Sequence, residues 1–247
     1  AKQQQEVSRR DLLAIHESGN VNLTRLFANS LWNDHMAPFV ASTASIDSEK
    51  CYTMQDDVVD GKRKASAAKK ACFNGIGAQI RQLPGFKEIN DKVFDSMRKS
   101  SVFKIKVFDL RAITVYSSEH GQIGDTKLDN KGWQSAVNGV PASELTHRDT
   151  FSAFEGVVEN RDVISSYLPV YQPGSDKIVG VFEVYSDVTP FLIKIKETAN
   201  NIELIARNNL RQVENEAQSN QARVKSSSTI MLVIIIALLV VLFVALF

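Results

Sequence analysis

Chemistry in this chain is concentrated in its second half, where five stretches alternate apolar and polar residues. One set of alternate positions, Ile105, Val107, Ile113, Val115, Leu168, Val170, Phe182 and Val184, is apolar throughout. The other reads Lys104, Lys106, Thr114, Tyr116, Ser118, Tyr167, Tyr171, Glu183, Tyr185 and Asp187. Successive strand residues point to opposite faces, so the first set faces a core and the second forms a surface of tyrosines and charges. Tyrosine supplies both an apolar wall and a hydroxyl, and the charged groups can orient a small polar ligand. A solvated outer face is the ordinary reading of any one such residue, but this many tyrosines together exceed what a wet face needs. The connection from Gln122 to Phe154 is long enough to fold over the surface, which makes Trp133, Arg148 and Phe151 candidates for its covering side. The expected ligand-binding set is Lys104, Tyr116, Ser118, Trp133, Arg148, Tyr167, Glu183, Tyr185 and Asp187.

Catalytic signatures are missing. The sequence holds no glycine-rich dinucleotide fingerprint, phosphate-binding loop, paired-histidine zinc helix or serine elbow. His16, His35, His120 and His147 have no metal-ligand spacing and there is no Cys-x-x-Cys, so neither a metal nor a cofactor is expected. With 29 Lys+Arg against 28 Asp+Glu and a net charge of +1, no overall positive field recruits nucleic acid. Cys51 and Cys72 can form one disulfide, a staple from loop to helix, or stay as two unpaired cysteines.

The elements that must position this surface follow from periodicity. Leu12, Ile15, Gly19, Leu23, Leu26 and Ser30 form one helical stripe, widened by Phe27, Leu31, Trp32, Met36 and Phe39, and Pro38 should kink or end that helix near Met36. Residues 42–61 read as a polar, irregular segment. A second helix is expected from Lys64 to Leu83, with Ala68, Ala71, Cys72, Ile76, Ile80 and Leu83 inward and Pro84-Gly85 as its stop; a short amphipathic piece follows at 87–97. Strands are expected at 102–108, 112–118, 151–160, 163–171 and 178–186, with a short helix near Trp133 between the second and third. Thr189-Pro190 opens a last helix, on which Leu192, Ile195, Ala199, Ile202, Ala206, Leu210, Val213, Ala217, Asn220 and Val224 form a heptad-like seam with one four-residue stutter. Helices outside and strands between make the fold class α+β.

That seam runs without glycine or proline into the apolar run Ile230–Phe247, which carries no polar side chain. Eighteen helical residues rise about 27 Å, close to the hydrocarbon thickness of a bilayer, so a transmembrane helix is expected. Two topologies compete: an extracytoplasmic body with a helix before Ala1 and cytoplasmic domains after Phe247, or a cytosolic body with a C-terminal anchor. The expected parts are 1–45 as membrane-proximal helix, 46–187 as sheet domain, 188–229 as signalling helix and 230–247 as membrane segment.

The order of parts, together with KIKVFD, ITVYSS, QIGD, a helix bearing Gly-Trp and YLPVYQPGSDKIVGVFEVYSDVTP, resembles the single-module PDC/Cache sensors of bacterial receptors. LTRLFANSLW is similar to the first helix of sensors attached to diguanylate cyclases and histidine kinases. The resemblance implies a PAS-like antiparallel five-stranded sheet in the periplasm and an inner-membrane location. It also implies a homodimer through the terminal helices, a small polar ligand (carboxylate, amino acid or amine) and a cytoplasmic output domain. The expected output is a diguanylate cyclase; a histidine kinase, a chemoreceptor and a tail-anchored scaffold without ligand are the alternatives. By analogy Tyr185 and Asp187 line the ligand site, although Asp187 also stands where a carboxylate complements the dipole of the following helix. One departure is the turn Asp109-Leu110-Arg111-Ala112, where the family often has a glycine.

Overall fold

A computed structural model of the chain describes residues 2–246. It divides into two compact units, one comprising Glu6–Ile193 and the other most of the last helix. The fold is α+β, as the sequence implied, with a five-stranded antiparallel sheet and a long C-terminal helix.

Helix α1 (Lys2–Leu31) passes into a π-type turn at Trp32–Met36 before α2 (Ala37–Thr43). The expected break at Pro38 is thus a local widening. Ala37 N–H donates to Trp32 O, five residues back, and Pro38, which has no N–H to place, falls in the first turn of the resumed helix. The irregular stretch holds more order than the sequence suggested: α3 (Glu49–Thr53), then a hairpin of β1 (Asp56–Val59) and β2 (Lys62–Ala65). Its turn, Asp60-Gly61, has φ of +52° and +71°, the double positive pair that an Asp-Gly hairpin turn requires.

Helix α4 (Ala67–Arg81) starts at Ser66, whose hydroxyl accepts from Lys69 N–H at 3.2 Å. Its buried side is Phe73, Ile76, Gly77 and Ile80, so Ala68 and Ala71, expected inward, are exposed. Cys51 on α3 is bonded to Cys72 on α4 with Cα atoms 5.6 Å apart, the staple among the two alternatives. Helix α5 (Phe86–Met97) buries Ile89, Val93 and Met97.

The sheet is ordered β4-β3-β7-β6-β5, from β3 (Val102–Phe108), β4 (Thr114–Ser117), β5 (Ala142–Ala153), β6 (Gly156–Tyr171) and β7 (Ile178–Asp187). All eight apolar alternates named above lie in one buried cluster with residues of α1, α2, α4 and α5. The other face carries a smaller cluster beneath α6 (Lys131–Val137), made of Phe108, Ala112, Trp133, Ala136, Tyr167 and Val181. The connection between Gln122 and Phe154, expected to hold a short helix between loops, also contains β5, and the strand expected at 151–160 spans a turn: β5 and β6 form one long hairpin, Ala142 opposite Tyr167 and Ala153 opposite Gly156.

At the turn after β3, Ala112 takes φ +65°, a left-handed conformation that favours glycine. That conformation costs an alanine about 1 kcal/mol. Asp109 holds it, its Oδ1 accepting from Arg111 N–H at 2.9 Å and Ile113 N–H at 3.0 Å. The chain then ends in α7 (Thr189–Leu246), a single continuous helix long and apolar enough to cross a membrane.

Candidate ligand-binding site

Register assembles the site. Across β3, β7 and β6, Phe108 stands opposite Val181 and Val181 opposite Pro169; the next rung on the same face is Lys106, Glu183 and Tyr167, and the next is Lys104, Tyr185 and Ser165. The first rung lies under α6. Gly132 permits this closeness, because a Cβ there would come within 2.3 Å of the Tyr167 ring. Asn130 accepts from Trp133 N–H at 2.8 Å, starting α6, and its amide donates to the Tyr167 hydroxyl at 3.2 Å. Trp133 is buried against the same cluster and its indole N–H reaches Asp109 O at 3.4 Å.

The third rung lies under the hairpin. Phe151 of β5 has its ring centroid 5.4 Å from that of Tyr185 and 6.1 Å from that of Phe103, and the Lys104 ammonium sits 4.3 Å from the Phe151 centroid. The hairpin tip is tied to the start of β3 by Phe154 N–H donating to Phe103 O at 2.9 Å.

Between these covers is the charged rung. Glu183 is 0% exposed, and Lys104 and Lys106 are 4% exposed. Lys104 is ion-paired with Glu119. Lys106 stands over the Tyr185 ring at 5.3 Å, and burial lowers its pKa to about 8 against the pull of Glu183. Burial raises the Glu183 carboxyl above its usual range, with Lys106 and the nearby Tyr167 and Tyr185 hydroxyls opposing the shift. Among the described residues neither Glu183 oxygen accepts a hydrogen bond of good geometry. Burial is also the first cause of the raised pKa of Tyr167 and Tyr185, reinforced by the Glu183 charge. Both stay protonated at neutral pH, as hydroxyls able to donate.

Five of the nine expected residues therefore share this face: Lys104, Trp133, Tyr167, Glu183 and Tyr185. Tyr116 does not. Between Phe108↔Thr114 and Val107↔Tyr116 the β4 strand carries one extra residue, which reverses the alternation and turns Tyr116 into the helical core beside Phe86, its hydroxyl donating to Asn90 at 3.2 Å. Ser118 extends the strand pairing, its hydroxyl accepting from Ile105 N–H at 3.2 Å. Arg148 is exposed on the sheet-edge strand β5, opposite Arg161. Asp187 accepts from Thr189 N–H at 2.9 Å and lies 3.6 Å from Arg161, at the start of α7 rather than against Glu183. The residue missed was Lys106; its alternation with Lys104 was visible, but its partner Glu183 depended on register.

Open clefts lie elsewhere, one of 420 Å³ between α1 and the β6–β7 turn and one of 430 Å³ around Arg111. Neither holds a buried charge without a partner: Arg111 is engaged by Asp109 Oδ2 at 2.7 Å and by Ile46 O at 2.7 Å. The described residues gather no group of three His, Cys, Asp or Glu that could hold a metal ion.

No family model and no curated protein matches the chain. Solved structures similar to it include sensor domains and a periplasmic domain. The Escherichia coli DcuS sensor domain is 13% identical, with 53% of this chain and 97% of that one covered and a TM-score of 0.31. The periplasmic domain of RsbU from Chlamydia trachomatis is 15% identical over 79% and 59% of the two chains, with a TM-score of 0.32. The sensor domain of the Vibrio cholerae histidine kinase DctB is 13% identical over 70% and 58%, with a TM-score of 0.28. This chain thus spans a little under three fifths of the last two.

Proposed function

We propose that the chain is the ligand-sensing part of a membrane-bound bacterial signal receptor, with a small polar molecule bound at the Lys106–Glu183 rung and the outcome passed along α7. One observation carries this reading: a fully buried carboxylate and two nearly buried lysines share one face of a sheet whose opposite face already supplies the main core. Buried charges cost several kcal/mol each unless compensated, so a fold that keeps them on its second face is retaining them for a task. The strand bearing Glu183 and Tyr185 runs directly into α7 through Asp187 and Thr189, and α7 is unbroken to its apolar end. A ligand that moves β7 thereby acts on the helix, provided that it binds one arrangement more tightly than the other.

The Cys51–Cys72 bond supports an oxidising compartment, hence a body in the periplasm and an apolar segment in the inner membrane. A homodimer through α1 and α7 belongs to the same reading, as does an output domain. For that domain the resemblance alone favours a diguanylate cyclase over a histidine kinase. The test is a thermal-shift screen of small carboxylates, amino acids and amines on the full chain in detergent, repeated with Lys106→Ala and Tyr185→Ala. A ligand whose affinity both replacements leave unchanged refutes the site.

A further inference from the structure

We propose that the chain carries a second binding site, for a single-chain anionic amphiphile of the fatty-acid type, in the groove between α1, the π-type turn and the β6–β7 turn. Two clefts make up this groove, and Trp32, Gln172 and Pro173 line both, so Trp32 stands at their junction. Arg25, Asn29 and Trp32 share one face of α1 and line the first cleft, of 420 Å³, against Leu168 and Val170 of β6. Arg25 is exposed, is the one charged residue lining that cleft among the described residues, and has no ion pair or hydrogen bond among them. Trp32 is set in place by Gly180 of β7, where a Cβ would come within 2.8 Å of the indole ring. Its indole N–H is buried without a hydrogen-bond partner, and the turn it opens is of the π type, a form that recurs at functional sites.

The second cleft, of 430 Å³, has the opposite chemistry. Ala37, Val40, Ala41 and Ala44 line one side and Leu110 and Val179 the other, with Leu110 50% exposed although apolar. Its polar groups are already engaged: the Thr43 hydroxyl donates to Val40 O at 2.7 Å, and Arg111 is held by Asp109 and by the carbonyls of Ile46 and Thr43. A free cation at one end and an apolar trough at the other fit a carboxylate head and a hydrocarbon tail. Arg25 pairs with the carboxylate through its fork of N–H donors, the Asn29 and Asn33 amides flank it, and the tail gains by leaving water beyond Trp32. An extended peptide would instead bring backbone N–H and C=O groups into a cleft whose polar groups are taken. A dianion would leave one charge unpaired at a lone arginine, and a cationic amphiphile would be repelled by it. The groove lies on the helical side of the sheet, away from the Lys106–Glu183 rung, yet Trp32 rests on β7, the strand that enters α7. Such an amphiphile is thus a second input to the same helix.

The experiment is isothermal titration of the full chain in phosphatidylcholine nanodiscs with dodecanoate at pH 7.5, heats from empty nanodiscs being subtracted. Dodecanoate binds, and on the unmodified protein acetate, dodecanol and dodecyltrimethylammonium each bind at least tenfold more weakly, a readout independent of whether any variant folds. Arg25→Gln, at an exposed position, and Ala41→Glu, which sets a carboxylate in the second cleft, each weaken dodecanoate tenfold or more. Equal affinity for dodecanol would remove Arg25 from the site and equal affinity for acetate would remove the second cleft, and either result overturns the proposal. So does an affinity that either variant leaves unchanged, or no binding above that of empty nanodiscs.

Discussion

Lys106 and Glu183 each work against the stability of the empty fold, and the sign of the pH dependence follows from their shifts. Lys106 has its folded pKa lowered from 10.5 to about 8, so the folded protein binds fewer protons than the unfolded one between those values. Its cost is fully present below pH 8 and is relieved as pH rises toward 10.5. Glu183 is raised, so its cost is absent at low pH and appears as pH rises through the unfolded value of 4.5. Urea unfolding of the wild type and of Lys106→Met should therefore converge or diverge with pH. The wild type gains on the variant by about 2 kcal/mol from pH 7.5 to pH 10, most of the span of the shift. A pH-independent difference would mean that Lys106 is charged and comfortable in the fold. Restricting the comparison to below pH 10 and to the difference between proteins removes the tyrosines, whose raised pKa values destabilise the fold only above that range.

At the scale of elements, the site depends on two covers with different anchors. Helix α6 sits on the sheet through Gly132, whose missing side chain lets the backbone rest on the Tyr167 ring. Gly132→Ala places a Cβ 2.3 Å from that ring, and because the clash is with a buried side chain one of the two must move. Overpacking of this kind costs about 1–3 kcal/mol. The expected result is a lower melting temperature together with weaker ligand binding, since Tyr167 shares its rung with Glu183; a neutral substitution would mean that α6 is not seated as described. Much of the element plan was legible in the sequence: the strands at 102–108 and 178–186, the helix near Trp133 and the start of α7 are where periodicity and capping put them. What was not legible is local. The extra residue in β4 that turns Tyr116 inward obeys no period, and the stretch 151–160, read as one strand, in fact spans the β5–β6 turn, with Ala153 opposite Gly156.

For the molecule as a whole, the proposal requires the body and the residues following α7 to lie on opposite sides of a membrane. A fluorescent protein that folds only in the cytoplasm, fused after Phe247 in a bacterial host, should glow, while protease added to spheroplasts should digest the Glu6–Ile193 body. The reverse pattern would favour a tail anchor and dismiss extracytoplasmic sensing. Near-neutral net charge suits such a task, since recognition of a small polar ligand needs local complementarity and no long-range field.

The sequence by itself determined the fold class, the apolar face of the sheet, the apolar C-terminal segment and the absence of recognisable catalytic motifs, because each of these depends on residue type at a fixed local period. Only the tertiary structure decided which polar residues meet. Lys106, Glu183 and Tyr167 come from three strands up to 77 residues apart, and their alignment depends on pairing register, where a one-residue slip sends a side chain to the opposite face. The same physics chose between the two fates of Cys51 and Cys72, since a disulfide needs its backbones within a few ångströms and that proximity is a property of α3 against α4.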